Sequence, residues 1–550
     1  MTTVAREAWG FDGYVTSDCG AVAGVTNPEP KTHPWSTSTA ATLRQSGNAA
    51  REQGITSSGG HGFKLPRNSS LATAGLDSNC NLGGGSIDDR PGPEGVAARR
   101  RALSHLFAVQ LRLGLFDAVG SEKNPFSALD ETSVASEQHQ RLALEAARQG
   151  VTLLKNTDST LPLKRGLGSL ALLGPCLEVR NGGYSKGGSG GPLTGSAAAA
   201  LANYSGAAAV KVVGCADPQT KMGKRKSSAI DCAADAEGFA AAAQAASQAA
   251  ATIVSIGIDG SFEGENGDFR AFAGIALPGA QGKLVEAVAA AAPKPITVLV
   301  TGSSVDISEM KNNPKIGAIV HVGYLGEAAG QAVADVLFGE HNPAGRLTTT
   351  WYPADFNSTW KPGVDPWTGG VNSRENSSYF DSSMRPNATT GNPGRTHRFF
   401  QGQPVYRFGE GLSYTSFRYE LRTPRIVAVD SRSVEEHAAI ASAQHLFGRT
   451  ASSASLHTAT VSVTNTGARA GAHTVLAFVS PPSAGLDGAP LHELLNFHRT
   501  EVLRVGETVV MSFHITAHDL TRTRREGGRM AEMGDWLLRI GEQEVTLRVS

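Results

Sequence analysis

Between residues 143 and 355 short apolar runs alternate with helical stretches, and this alternation limits the fold more than any other feature of the chain. Residues 150–156 read as a strand and turn, and 169–175 as a buried strand. An Ala-rich helix over 233–251 leads into a strand at 251–257. A helix at 284–291, strands at 296–301 and 316–322, and a helix at 330–338 continue the series. Strands that are apolar throughout bury both faces, so the pattern predicts an α/β sheet covered by helices on each side.

The flanking segments differ in kind. Residues 1–125 end in an amphipathic helix over 96–116, with Leu103, Leu106, Phe107, Gln110 and Leu113 near helical spacing and Gly114 as terminator. Residues 356–425 are rich in Asn, Ser, Pro and Gly and read as an extended connection. From 454 to 550 short strands alternate apolar and polar residues, at 458–464, 474–479, 507–515 and 536–540. The turn Asn465-Thr466-Gly467 joins the first two, so this part is an all-β sandwich. Residues 43–70 are polar, Gly/Ser/Arg-rich and aperiodic, which suits an insertion, either a translated intron or a loop.

Acidic and basic residues balance at 50 each in 550 residues, so no net field favours nucleic acid or a membrane surface. No apolar run reaches the length of about 18 residues that a spanning helix needs. The start, Met-Thr-Thr-Val-Ala-Arg-Glu, lacks the basic segment and apolar core of a signal peptide. Asn-x-Ser/Thr triplets at Asn68, Asn203, Asn357, Asn376 and Asn387 are glycosylation candidates and favour an extracellular protein. A lost N-terminus reconciles the two signals. The cysteines, Cys19, Cys80, Cys176, Cys215 and Cys232, have no zinc-site spacing.

Two segments carry chemistry. Trp9-Gly10-Phe11-Asp12-Gly13 is turn-rich and leads into the β-rich Tyr14-Val15-Thr16, which stops at Ser17-Asp18-Cys19-Gly20. A lone acid at the C-terminal tip of a strand is where barrel enzymes hold catalytic residues. The second segment, Gly260-Ser261-Phe262-Glu263-Gly264-Glu265-Asn266-Gly267-Asp268-Phe269-Arg270, follows the strand at 251–257, where open α/β sheets bind ligands. The Gly-rich run 182–191 lacks a phosphate-loop Lys-Ser/Thr and reads as linker, Lys221–Lys226 as a solvated basic run, and His321 and His341 as structural histidines.

The first segment closely resembles the nucleophile motif of glycoside hydrolase family 3, in its β-xylosidase/α-L-arabinofuranosidase branch. Further phrases resemble the same family in order: Ala74-Gly75-Leu76-Asp77-Ser78-Asn79-Cys80, Gln149–Asn156, Gly339–Leu347, Asn392–Phe400 and Phe408–Thr415. The resemblance implies a multidomain α/β plus β chain: a (β/α)8-barrel remnant at 1–125, an α/β sandwich at 143–355, and a fibronectin type III-like domain at 454–550. It implies that most of the barrel precedes Met1 and has been cut away, with the residues that grip the terminal sugar. Asp18 is then the nucleophile. Glu265 is the acid/base, with Glu263 the alternative, because Phe269 between Asp268 and Arg270 departs from the family pattern. In an oxidising compartment Cys215 with Cys232 closes a short loop and Cys19 with Cys80 a longer one, and the resemblance favours both pairs. No cofactor or metal is implied, and the ligand is a xylo-oligosaccharide or related β-linked glycan. The activity read from this is a retaining exo-β-glycosidase, doubtful in a chain lacking most of its barrel. Two other readings stay open: a catalytically inactive fragment acting as a carbohydrate-binding or structural module, and a β-glucosidase.

Overall fold

The computed structural model describes residues 5–6, 10–16, 77, 92–118, 129–177, 197–207, 209–216, 221–222, 225–226, 229–259, 262–264, 267–268, 275–356, 384–389, 391–436, 455–523 and 529–550. They fall into two compact units, one built on residues 1–134 and the other on most of the remainder.

In the first unit the principal element is helix α1 (Pro93–Arg112), which starts with proline in its first turn. It stops at Gly114, whose φ of 70° lets the Gly114 and Leu115 amides return to the carbonyls of Leu111 and Gln110. The terminator read from sequence therefore sits where expected. The buried face is a different one: Gly95, Ala98 and Ala102 are buried, while Val96, Leu103, Phe107 and Leu111 form an exposed apolar stripe.

The second unit contains a six-stranded sheet. Its strands are β1 (Thr152–Asn156), β2 (Leu170–Leu173), β3 (Ala209–Val212), β4 (Ala251–Gly257), β5 (Ile296–Val300) and β6 (Ala318–Val322). The order is β1-β6-β5-β4-β2-β3, parallel except for β1, which pairs antiparallel with β6. Alternate residues face opposite cores. Leu173, Val254, Ile256 and Leu299 pack under α4 (Ala236–Gln248) and α5 (Gln281–Ala291). Leu172, Ile253, Val298 and Val320 pack under α3 (Ala197–Ser205) and α6 (Ala329–Leu337). Both faces are buried, which is why the strands read as unbroken apolar runs.

A buried acid ties three helices of the second face together. Asp335 on α6 accepts from Tyr204 (2.6 Å) on α3, Gln331 (2.7 Å), and the Arg148 guanidinium (2.6 Å) on α2 (Glu137–Gly150). The phrase 149–156 also has a structural role. Lys155 donates to the carbonyls of Lys311 (2.9 Å) and Asn313 (2.7 Å), closing the short helix Ser308–Asn312. Asn156 exchanges two hydrogen bonds with the backbone of Leu161, both 2.9 Å.

The β-sandwich starts earlier than its sequence pattern indicates. Strands β7 (Phe417–Leu421) and β8 (Ile426–Val429) each contribute to a sheet. One sheet is β7-β9-β12, with β9 Ser455–Asn465 and β12 Thr508–Thr516. The other is β8-β14-β13-β10-β11, with β10 Thr474–Ser480, β11 Glu493–Arg499, β13 Gly534–Ile540 and β14 Gln543–Val549. The Asn465-Thr466-Gly467 turn thus carries the chain from one sheet to the other. The buried Asn465 amide holds that corner, donating to the carbonyls of Arg469 (2.7 Å) and Leu503 (2.9 Å). Phe513, Trp536, Leu538 and Val463 fill the space between the sheets.

Candidate active site

The strand that runs toward Asp18 is anchored by a carboxylate. Asp77, 6% exposed, accepts from the Val15 amide (2.9 Å), while its own amide donates to the Val15 carbonyl (2.8 Å). The Arg6 guanidinium pairs with the same carboxylate and donates to the Gly13 carbonyl (2.8 Å). His105 Nδ1, from α1, meets the other carboxylate oxygen at 2.9 Å. One buried acid therefore holds Arg6, Val15 and His105 together, and Val15 lies three positions before the candidate nucleophile. A buried carboxylate bonded this fully fixes its partners, whereas removing it takes an acceptor from a cation and from a buried amide. Asp77 was visible as part of a motif; Arg6 and His105 carried no sequence signal.

The second carboxylate segment follows β4, whose end is held by Gln281 at the start of α5. The fully buried side chain accepts from the Gly257 amide (2.8 Å) and donates to the carbonyls of Gly257 (2.9 Å) and Ile230 (2.7 Å). Without that amide, one buried N–H and two carbonyls lose their partners, at a cost of roughly 1–3 kcal/mol for each buried group left unsatisfied. Gly257 must be glycine. Its φ is 147°, and a Cβ there would lie 1.9 Å from the Val300 carbonyl oxygen. Ile230 belongs to the loop closed by the Cys215–Cys232 disulfide, so the clamp also ties that loop to the sheet. Tyr324 donates to the Ile258 carbonyl at 3.3 Å. Beyond this anchor the backbone forms a small hairpin, Glu263–Gly264 paired with Gly267–Asp268.

Glu263 lies in the first strand of that hairpin. Asp18, Glu265, Cys19, Cys80, the segment 43–70, and Asn68, Asn357 and Asn376 lie outside the described residues. Asn203 is exposed on α3, and Asn387 is half-buried, its side chain accepting from the Thr389 amide (2.9 Å). Cys176 is a buried free thiol whose pKa burial pushes up to about 12, which leaves it inert as a nucleophile. His321 bonds Thr301 through Nε2 (3.1 Å) and meets Trp351 edge-on, a structural role. Among the described residues no group of three His, Cys, Asp or Glu could hold a metal ion, and no helix is long and apolar enough to cross a membrane.

Comparison with known proteins follows the same division of the chain. Residues 151–414 match the glycosyl hydrolase family 3 C-terminal domain, and residues 473–544 match the fibronectin type III-like domain. Over 569 aligned residues the chain is 32% identical to a β-xylosidase/α-L-arabinofuranosidase 1 of Medicago sativa subsp. varia, covering 99% of this chain and 62% of that protein. It is 31% identical over 576 residues to β-D-xylosidase 3 of Arabidopsis thaliana, covering 100% of this chain and 64% of that protein. A solved GH3 exo-β-xylosidase in complex with a xylobiose aziridine activity-based probe superimposes with a TM-score of 0.74 at 26% identity, over 100% of this chain and 63% of that one. The chain thus spans less than two thirds of the length of these relatives.

Proposed function

The chain belongs to glycosyl hydrolase family 3, and from that premise we propose that it carries the nucleophile and acid/base of a retaining exo-β-xylosidase. The substrate is a xylo-oligosaccharide or related β-linked glycan, cleaved at a terminal xylosyl or arabinosyl unit. One observation carries this reading: relatives named as β-xylosidases align with 99–100% of the chain, so the likeness includes the Asp18 segment as well as the α/β domain.

Asp18 attacks the anomeric carbon and forms a glycosyl ester. Glu265 protonates the departing oxygen, then takes the proton from the water that hydrolyses the ester. Glu263 is the alternative in that second role. Retention requires the two carboxyl groups about 5–5.5 Å apart. Anchoring by Asp77 and by Gln281 supports the assignment, since each acidic segment leaves a backbone position fixed by buried hydrogen bonds. Positioning of this kind is worth up to ~7–11 kcal/mol of a barrier.

Residues 1–125 are read as part of a (β/α)8 barrel. The uncovered stripe Val96, Leu103, Phe107 and Leu111 on α1 supports this, because a barrel helix turns such a stripe toward its neighbours. The disulfide Cys215–Cys232 and the exposed Asn203 suit a secreted, glycosylated protein.

A panel of nitrophenyl glycosides tests the substrate assignment. The β-D-xyloside is expected to be hydrolysed at least about tenfold faster, in kcat/KM, than the β-D-glucoside, whose extra hydroxymethyl group a xylose-sized pocket excludes. The α-L-arabinofuranoside is expected to be second. Preference for the glucoside contradicts the assignment.

A further inference from the structure

The phrases 392–400 and 408–415 take no part in the mechanism above, yet both line one cavity of about 720 Å³. Its other walls come from the end of the α/β domain at Arg346 and from strands β7, β10 and β13 of the sandwich. The volume falls in the range of small-ligand sites. Aromatic rings supply the apolar wall. His397 stacks on Phe408 with ring centres 4.3 Å apart, and Phe478 meets Phe408 edge-on at 6.1 Å.

Arg346 supplies the charge. Its guanidinium donates to the carbonyls of Ala344 (3.3 Å) and Gly345 (2.9 Å) and to His473 Nδ1 (3.2 Å). This leaves Nε–H and one Nη2–H without a partner among the described residues, and no carboxylate there pairs with it. Because His473 accepts at Nδ1, its proton sits on Nε2, facing the Tyr419 hydroxyl. Burial and the Arg346 cation hold this imidazole neutral, with its pKa pushed down to about 3. His492 is likewise pushed down to about 4 by burial, and His397 is lowered for the same reason.

Charged groups on the cavity wall are therefore Arg346, Arg407 and Arg539 against Glu410. Arg539 is engaged with Glu544 at 3.4 Å, which leaves two cations facing one acid. A half-buried guanidinium without a counter-ion has lost part of its hydration, and a bound anion restores that loss.

We propose that this cavity binds the carboxylate of a sugar acid, with the free edge of Arg346 taking the carboxylate and the rings of Phe408 and Phe478 taking the pyranose. Nε–H and the second Nη2–H are the two donors that Arg346 has left for a carboxylate. The two rings, set edge to face, supply an apolar corner for the C–H groups of the sugar. The choice of a sugar acid over other carboxylates rests on the glycosidase reading, since a uronic acid is the acidic form of the pyranoses that reading assigns.

Titration calorimetry with D-glucuronate tests the proposal, with D-xylose, acetate and inorganic phosphate as comparison probes. Glucuronate is expected to bind saturably, and each comparison probe at least about tenfold more weakly, the loss expected for one charge-assisted bond or one stacked ring. His473 and His492 stay neutral between pH 5.5 and 8, so neither should add a pH dependence to the affinity in that range. Arg346→Gln is expected to lower affinity at least about tenfold. Since Arg346 also holds two backbone carbonyls, Leu486→Trp serves as a second variant; Leu486 is 65% exposed on the cavity wall, and the larger ring fills the space. Absence of glucuronate binding, equal affinity for xylose, acetate or phosphate, or indifference to both substitutions overturns the site. Binding is read as heat, not turnover. Failure of the hydrolase reading would show as missing xyloside hydrolysis with glucuronate binding intact, and failure of this proposal as the reverse.

Discussion

Asp18→Asn is expected to lower kcat/KM for a nitrophenyl β-D-xyloside by at least about 10⁴-fold, the scale seen when a covalent nucleophile is removed. The substitution keeps the size of the side chain and removes only its charge, so no loss of folding stability should accompany the loss of rate. An amide neither attacks the anomeric carbon nor stabilises the positive charge that develops there, and both contributions vanish together. A smaller residue provides a sharper version. With Asp18→Gly the vacated space admits azide, which attacks from the face the carboxylate used and yields a xylosyl azide of inverted configuration. Removing the acid/base behaves differently. Glu265→Ala should slow hydrolysis of xylobiose far more than that of an activated aryl xyloside, because only the former leaving group needs a proton. If Glu263→Ala shows that split and Glu265→Ala does not, the two roles exchange.

The second large effect is expected at Asp77. Asp77→Ala removes the acceptor of Arg6, His105 and the Val15 amide at once. Breaking a buried pair from one side costs about 3–5 kcal/mol. Asp77→Asn keeps one acceptor oxygen but turns an NH2 group toward donors, and about 1–2 kcal/mol is expected. Amide exchange of Val15 reads the difference, since its N–H is bonded to the carboxylate. At 1.4 kcal/mol per decade, protection should fall about 100-fold or more in the alanine variant and about tenfold in the asparagine variant, if exchange proceeds through opening of this cluster. Unchanged protection in both variants would remove Asp77 from the anchoring role. Val15 lies three residues before Asp18, so turnover should fall in the same order as protection.

How much of this was legible in the sequence depends on the range of the interactions. Strand β4 emerges with its expected bounds, since an Ala-rich helix precedes it, Gly257 ends it, and both its faces are buried. Helix α1 was legible as a periodic element and its end as Gly114. The face it buries was not, because the small residues Ala98 and Ala102 pack inward while the larger apolar residues stay exposed. Strand β7 was absorbed into the connection: Arg418 and Glu420 alternate with Phe417, Tyr419 and Leu421, and only pairing with β9 makes a strand of them. Strand β8 lies between the connection and the sandwich as read from sequence, and pairs with β14. Gln281 had no sequence signal, because its partners are backbone groups 24 and 51 positions away. The cavity at Arg346 was equally hidden, since its walls come from segments more than a hundred residues apart.

Covalent trapping tests the central assignment most directly. The protein is incubated with a xylose-configured aziridine, whose strained ring opens when the catalytic carboxylate attacks the anomeric carbon, and the modified peptide is identified by mass spectrometry. One adduct is predicted, on the peptide containing Asp18 and at that residue, and it should be absent from Asp18→Asn. An adduct on another carboxylate with Asp18 unmodified would contradict the account.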